Sequence, residues 1–288
     1  METANNVLTV QDILNTTNLN WKVREEDVLT ASGIIVDSKK AIIRDDTNQV
    51  LAIHGSGYQP YQNEQMAELL YQISSHTGLQ VHKGGSLDGS SKVFIQLKSD
   101  DLRLGDDKIE GYITGVNSFD GSTSFGFGSS TVTISCQNTF FKVMKDIQNK
   151  VRHTANMNYK IDEILRNIDG IVREEKQTFK EIERMADIRM TSAMEELVIN
   201  ALFDINEADR LAKNISTRKL NQIEDFKNDL LIELASKNDS VWGLMSGVTR
   251  YTTHTKFKTD EKSITAKLFG STGEVERKIY NKLVAQVF

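Results

Sequence analysis

The chain has 288 residues, which suffices for one large domain or two modest ones with a buried core. Its 39% hydrophobic and 26% charged residues exclude a disordered chain. A net charge of −5 excludes a uniformly basic nucleic-acid binder but leaves room for a local basic patch. The one cysteine, Cys136, cannot close an internal disulfide and fits a reducing cytosol. No stretch approaches the ~18 apolar residues of a membrane span. Glu2 and the lack of a basic opening followed by an apolar run argue against a secretory signal. The expectation is a cytoplasmic protein with no membrane association.

In chain order, Ala41–Arg44 and Val50–Ile53 are short apolar runs flanking Asp45-Asp46-Thr47-Asn48, which predicts a β-hairpin. Asn63 reads as an N-cap, and Met66, Leu69, Leu70 and Ile73 follow at helical spacing. Val93, Ile95 and Leu97 alternate, as in a half-buried strand. Residues 112–116 and 131–135 are further strands by their β-branched content, and the Gly/Ser/Asp stretches 84–91 and 117–130 read as turns or loops. From Ile161 through Leu165, Ile168, Val172, Phe179, Ile182 and Ala186, apolar residues alternate steps of four and three, with Glu175 filling one position. That is a heptad-like seam on one long helix. Helices follow at 194–203 and at 217–235, the latter with Ser216 as N-cap and Leu220, Ile223, Leu230 and Leu234 facing in, and at 275–287. The fold class expected is α+β: an N-terminal mixed antiparallel sheet with helices over 1–153, then a helical region with one long helix over 154–288, the two readable also as one continuous domain.

Charge is unevenly spread. Residues 1–141 hold 10 Lys and Arg against 17 Asp and Glu, whereas 250–288 hold 8 against 4. Segment 142–153 carries Lys142, Lys145, Lys150 and Arg152 against Asp146 alone. Such asymmetry suits a polyanion held on one face.

Four motifs stand in order: Tyr58-Gln-Pro60-Tyr-Gln-Asn63, Asn117-Ser-Phe-Asp120-Gly121-Ser122, Cys136-Gln-Asn138-Thr139 and Arg152-His153-Thr154. Trp242-Gly243-Leu244 with Thr249-Arg-Tyr251 and His254 add a fifth. This ordered set resembles the phage/plasmid-like protein family, a domain-of-unknown-function group of bacteriophages and mobile elements, from about Trp21 to the C-terminus. The resemblance implies a mobile-element origin and a host-cytoplasm location, and no established activity. The chain departs from it at Phe119, where a histidine is common, and at Ser246-Gly247, where an asparagine-alanine pair is common. The strand and helix order over 92–150 also resembles the core of single-strand annealing proteins of the Red-beta/RecT type, a likeness of fold that does not fix function.

Three sets of residues are candidates for chemistry. Cys136 ends an alternating strand, where a lone cysteine behaves as a small core hydrophobe rather than a nucleophile. Asn117, Asp120 and Ser122 form a polar loop that suits either a cation and a phosphate or plain turn chemistry, with Gly121 supplying positive φ. Phe140, Lys142, Lys145, Lys150, Arg152 and His153 combine cations on a helix for phosphates with aromatics for unpaired bases, against the alternative of a packed core under a solvated face. Histidine and cysteine spacings match no zinc motif, and Gly55-Ser-Gly57 no nucleotide loop, so neither metal nor cofactor is expected.

The leading expectation is therefore a phage-encoded, ATP-independent single-stranded nucleic-acid-binding protein, with strand annealing or recombination as its role. The alternative is a non-enzymatic protein that binds or inhibits a host protein factor. A hydrolase using Cys136 or Asp120 ranks below both. The long seam further predicts a homo-oligomer.

Overall fold

The computed structural model describes residues 9–105, 107–133, 138–141, 150–151, 168–206 and 215–288. The architecture is α+β, with antiparallel sheets in the first half and helices in the second. The chain forms two compact units. One comprises Met1–Ser99, Tyr112–Ser129 and Val143–Ile171, the other Asp100–Gly111, Ser130–Lys142 and Val172–Phe288. Among the described residues no helix is long and apolar enough to cross a membrane.

The first unit opens with helix α1 (Val10–Thr16), started by a reciprocal cap in which Asp12 N–H donates to Thr9 Oγ1 and Thr9 N–H to Asp12 Oδ2. Strands β1 (Val23–Leu29), β2 (Ile35–Arg44) and β3 (Val50–Gly55) form an antiparallel sheet in that order. The hairpin expected at 41–53 is present, with Ala41 opposite Ile53 and Ile42 opposite Ala52, and Asn48 takes the left-handed conformation its turn needs. Helix α2 (Asn63–Thr77) buries Met66, Leu69, Leu70 and Ile73, as their spacing requires. Asn63 is not its cap. Gln62 precedes the helix, its N–H donating to Gln65 Oε1, while the buried Asn63 Nδ2 donates to the carbonyls of Leu19 and Trp21.

A second sheet holds β4 (Gln80–Leu87), β5 (Lys92–Leu104), β6 (Asp107–Ser118), β7 (Phe125–Thr133) and β8 (Asn138–Phe141) in that order, with β9 (Lys150–Val151) pairing β7. The glycine- and serine-rich stretches expected as loops are largely strand: only 88–91 and 119–124 turn. At Gly84 the reason is close approach, because a Cβ there would lie 2.6 Å from both the Phe94 carbonyl and the Thr17 side chain. Residues 92–97 are buried on both faces rather than one.

The second unit contains helix α3 (Ile168–Asp187) from Val172 onward, α4 (Ser192–Phe203), α5 (Thr217–Ser236) and α6 (Val241–Arg250). A π-helical turn (Tyr251–Thr255), α7 (Asp260–Leu268) and α8 (Ser271–Val287) follow. Ser216 caps α5 as expected, its Oγ accepting from Lys219 N–H. Leu220 does not face in: it is exposed, and Phe226 with Leu230 carries the buried stripe instead. The core gathers Ile182 and Met185 of α3, Val198 of α4, Phe226 of α5, Leu244 and Val248 of α6, and Ile279 and Leu283 of α8. The heptad seam from Phe179 through Ile182 to Ala186 is thus covered inside the chain, and Glu175 is buried as well. Ile161 and Leu165 lie outside the described residues. The described seam does not itself call for a second copy of the chain.

Candidate functional site

Two of the ordered motifs meet in the first unit, and the contacts explain their residue types. Asn117 is buried at the end of β6, its Nδ2 donating to the Tyr61 carbonyl at 2.7 Å. Tyr58 Oη donates to the Ser118 carbonyl at 3.0 Å. Gln62 mimics a strand partner, its Nε2 donating to Val23 O and its Oε1 accepting from Val23 N–H. Phe119 is fully buried against Trp21, with ring centroids 5.4 Å apart. That position offers no imidazole for catalysis in this chain.

Asp120 lies at the centre of the turn. Its Oδ1 accepts from Ser122 N–H at 2.9 Å, and Gly121 takes φ +69°, which is the turn chemistry expected of Asn/Asp-Gly. Its Oδ2 accepts from the buried Lys92 ammonium at 2.7 Å, an ion pair no local pattern signals. Burial pushes the Asp120 carboxyl up, but the hydrogen bonds from Lys92 and Ser122 outweigh it and hold the group down to about 2. Burial opposes the Lys92 charge, yet Asp120 and Asp88 raise its affinity for the proton. Nearby, His54 stacks on Tyr58 at 3.9 Å, and its Nε2 lies 2.8 Å from the Phe119 carbonyl. The loop is therefore held together by internal pairs. Asp107 pairs with Lys237 at 3.2 Å in the second unit. Among the described residues no three His, Cys, Asp or Glu side chains cluster as a metal would require.

The basic-aromatic set is only partly within the described residues. Phe140 lies on strand β8 opposite Thr131, and Lys150, expected with the other cations on a helix, lies on strand β9 opposite Gly126. Phe140 falls in the second unit and Lys150 in the first. Lys142, Lys145, Arg152 and His153 lie outside the described residues, as does Cys136.

The fifth motif organises a polar network in the second unit. Arg250 Nε donates to Asp229 Oδ1 at 3.1 Å and its Nη1 reaches Glu233, which also accepts from Lys237 at 2.7 Å. Trp242 and Tyr251 are core, the latter edge-on to Phe203 and Phe226. Beyond them, at the π-helical turn, Thr252 hydrogen-bonds to Glu276, which pairs with Lys267 at 3.0 Å. The Lys267 ammonium also donates to Thr253 Oγ1 at 2.6 Å. Burial lowers the proton affinity of Lys267 against the pull of Glu276. Single π-turns often mark functional places, but Lys267 and Glu276 are 1% and 0% exposed and meet no substrate there. A signal for Glu276 exists in the sequence, since it shares the apolar face of α8 with Ile279, Tyr280 and Leu283 at helical spacing.

These internal pairs decide which cations face water. Arg250 and Lys267 are withdrawn, while Lys258, Lys262, Lys278 and Lys282 are exposed.

No curated protein and no solved structure matches the chain. A family model described as "Domain of unknown function (DUF932)" matches residues 50–273, a span that takes in the Tyr58–Asn63 and Asn117–Ser122 motifs and the Trp242–His254 region just described. The chain belongs to that family of unknown function, DUF932.

Proposed function

We propose that the protein binds single-stranded nucleic acid without ATP, through the exposed cations of its C-terminal segment; Lys142, Lys145, Lys150 and Arg152 are a separate set of candidate phosphate contacts. The observation that carries the reading is the charge left after internal pairing. Segment 250–288 keeps six cations, from Lys256 to Lys282, against three acids once Arg250, Lys267 and Glu276 are taken up in the interior. Lys278 and Lys282 stand one turn apart on the exposed face of α8. Lys256 lies 5.4 Å from the ring of the half-buried Phe257, a pairing of cation and aromatic that suits a phosphate beside a base. Strand annealing, a mobile-element setting and a host-cytoplasm location belong to the same proposal and rest on the sequence resemblance alone.

The test is a gel shift with labelled single strands at low salt. Replacing Lys258, Lys262, Lys278 and Lys282 with glutamine weakens binding and flattens its salt dependence, by roughly 0.7 in the log–log slope per lost phosphate contact. No shift with micromolar protein overturns the reading.

One observation favours the second reading, a binder of a host protein factor. Leu29, Ile34 and Ile35, beside the turn of the β1–β2 hairpin, are 58%, 66% and 50% exposed. A stoichiometric protein partner that survives nuclease treatment, and is lost when these three become serine, selects it.

A further inference from the structure

Helix α5 buries Phe226, Asp229, Leu230 and Glu233 on one face. On the opposite face, at helical spacing, lie Leu220, Glu224, Lys227, Leu231 and Ala235, every one of them exposed. Leu220 is 50% exposed and Leu231 65%, with Ile232 beside them at 53%. A single leucine on a surface is ordinary. Here steps of four, three and four from Leu220 to Leu231 put two leucines on one line, as at the seam positions of a coiled coil. The helix thus carries a second stripe that the chain's own core does not use.

The order of residues along the stripe selects its partner. Between the leucines stand one acid and one base, Glu224 and Lys227, and neither has an ion-pair partner among the described residues. The series Leu, Glu, Lys, Leu is its own complement when read antiparallel. Two copies of α5 can lie antiparallel about a two-fold axis that passes outside the helix, midway between Glu224 and Lys227. Leu220 of each copy then meets Leu231 of the other, and Glu224 of each meets Lys227 of the other. Laid parallel in register, the same helices oppose Glu224 to Glu224 and Lys227 to Lys227, and the like charges repel. An unrelated partner needs a matching stripe of its own, whereas a second copy of this chain always supplies one.

A two-fold contact uses the same patch on both copies and closes at two. The two leucines are ~16 Å apart along the axis, and the whole helix is ~30 Å long. A contact along one helix of that length falls at the small end of specific interfaces, under about 1,200 Å² of total buried surface. Such a dimer exchanges with its monomer rather than being obligate.

We propose that α5 is a homodimerisation helix, pairing antiparallel with α5 of a second copy through Leu220, Glu224, Lys227 and Leu231. This face is distinct from the α3 seam and uses none of the cations assigned to nucleic acid, so either proposal holds or fails without the other.

Sedimentation velocity of the full chain, from low to high micromolar concentration, tests it. The expected result is a mass that rises with concentration from that of one chain to that of two. Glu224→Lys or Lys227→Glu alone turns both attractive contacts of the dimer into repulsive ones and weakens association by about tenfold. The two reversals made together restore it, because opposite charges again meet across the axis. Leu220→Gln with Leu231→Gln leaves the chain monomeric. All four positions are exposed, so the variants keep their fold, which far-ultraviolet circular dichroism verifies. A wild type that stays monomeric throughout the range overturns the proposal. A dimer that neither the single reversals nor the leucine pair weakens also overturns it, as does a double reversal that associates no better than the single ones.

Discussion

Lys267 and Glu276 face each other at 3.0 Å with neither side chain reaching solvent. Attraction in such a place is offset by the cost of taking both charges out of water, so the pair is poor evidence of net stability. It is nevertheless sensitive to the loss of one member. Glu276→Gln leaves a buried ammonium without its counter-charge and destabilises by about 3–5 kcal/mol, whereas the double replacement Lys267→Met with Glu276→Leu is near neutral. Urea unfolding of the three proteins checks this. A double variant at least as destabilised as Glu276→Gln would show that the uncompensated charge is not what the single replacement costs.

Asp120 gives a pH dependence of definite sign. Its carboxyl is held down to about 2 in the folded chain against an ordinary 3.8, so the charged form is the one that stabilises. The contribution is complete above about pH 4 and is lost as pH falls toward 2. Asp120→Asn removes it at neutral pH, at a cost on the order of 1–2 kcal/mol. The stability gap between wild type and variant, followed by denaturant unfolding, shrinks between pH 4 and pH 2. A gap that stays constant over this range would mean that the Lys92–Asp120 pair does not contribute.

Gly121 sits under the imidazole of His54. A Cβ there would lie 2.6 Å from Cε1, and the residue's φ of +69° already disfavours a side chain. Gly121→Ala combines backbone strain with displacement of a ring that stacks on Tyr58, for a cost of about 2 kcal/mol. Denaturation gives the magnitude. The His54 Cε1–H chemical shift distinguishes the two causes, because strain alone leaves it unmoved.

How much of this was legible in the sequence depends on whether the cause is local. The 41–53 hairpin, the apolar face of α2 and the Ser216 cap follow from residues a few positions apart, and all three are present. Gly84 and Gly85 read as a loop because their strand role depends on Thr17 and Phe94, far away in the chain. Lys92 finds Asp120 across 28 positions, and Arg250 finds Asp229 across 21, with no spacing rule to announce either. Glu175 is the instructive middle case: its place in the apolar seam was visible, and the seam position is buried. What the seam packs against was not visible, since amphipathicity says that a face is covered but not by which element.

That last point separates two outcomes for the long helix. A seam closed by a second copy and a seam closed within the chain have the same heptad pattern. Ile182 sits in the described seam at 0% exposure, in the core that α3 shares with α4, α6 and α8. A carboxylate placed there can neither reach water nor find a counter-charge, and the cost of burying it is several kcal/mol, comparable to the whole stability of an ordinary domain. Ile182→Asp therefore abolishes cooperative folding of the second unit, seen as loss of helical circular dichroism and of the unfolding transition. Had the seam been an interface between copies, the same variant would elute as a smaller, still folded species. Size-exclusion chromatography with light scattering, run beside the dichroism, tells these apart. A folded monomer from an oligomeric wild type would move α3 from the core to an interface.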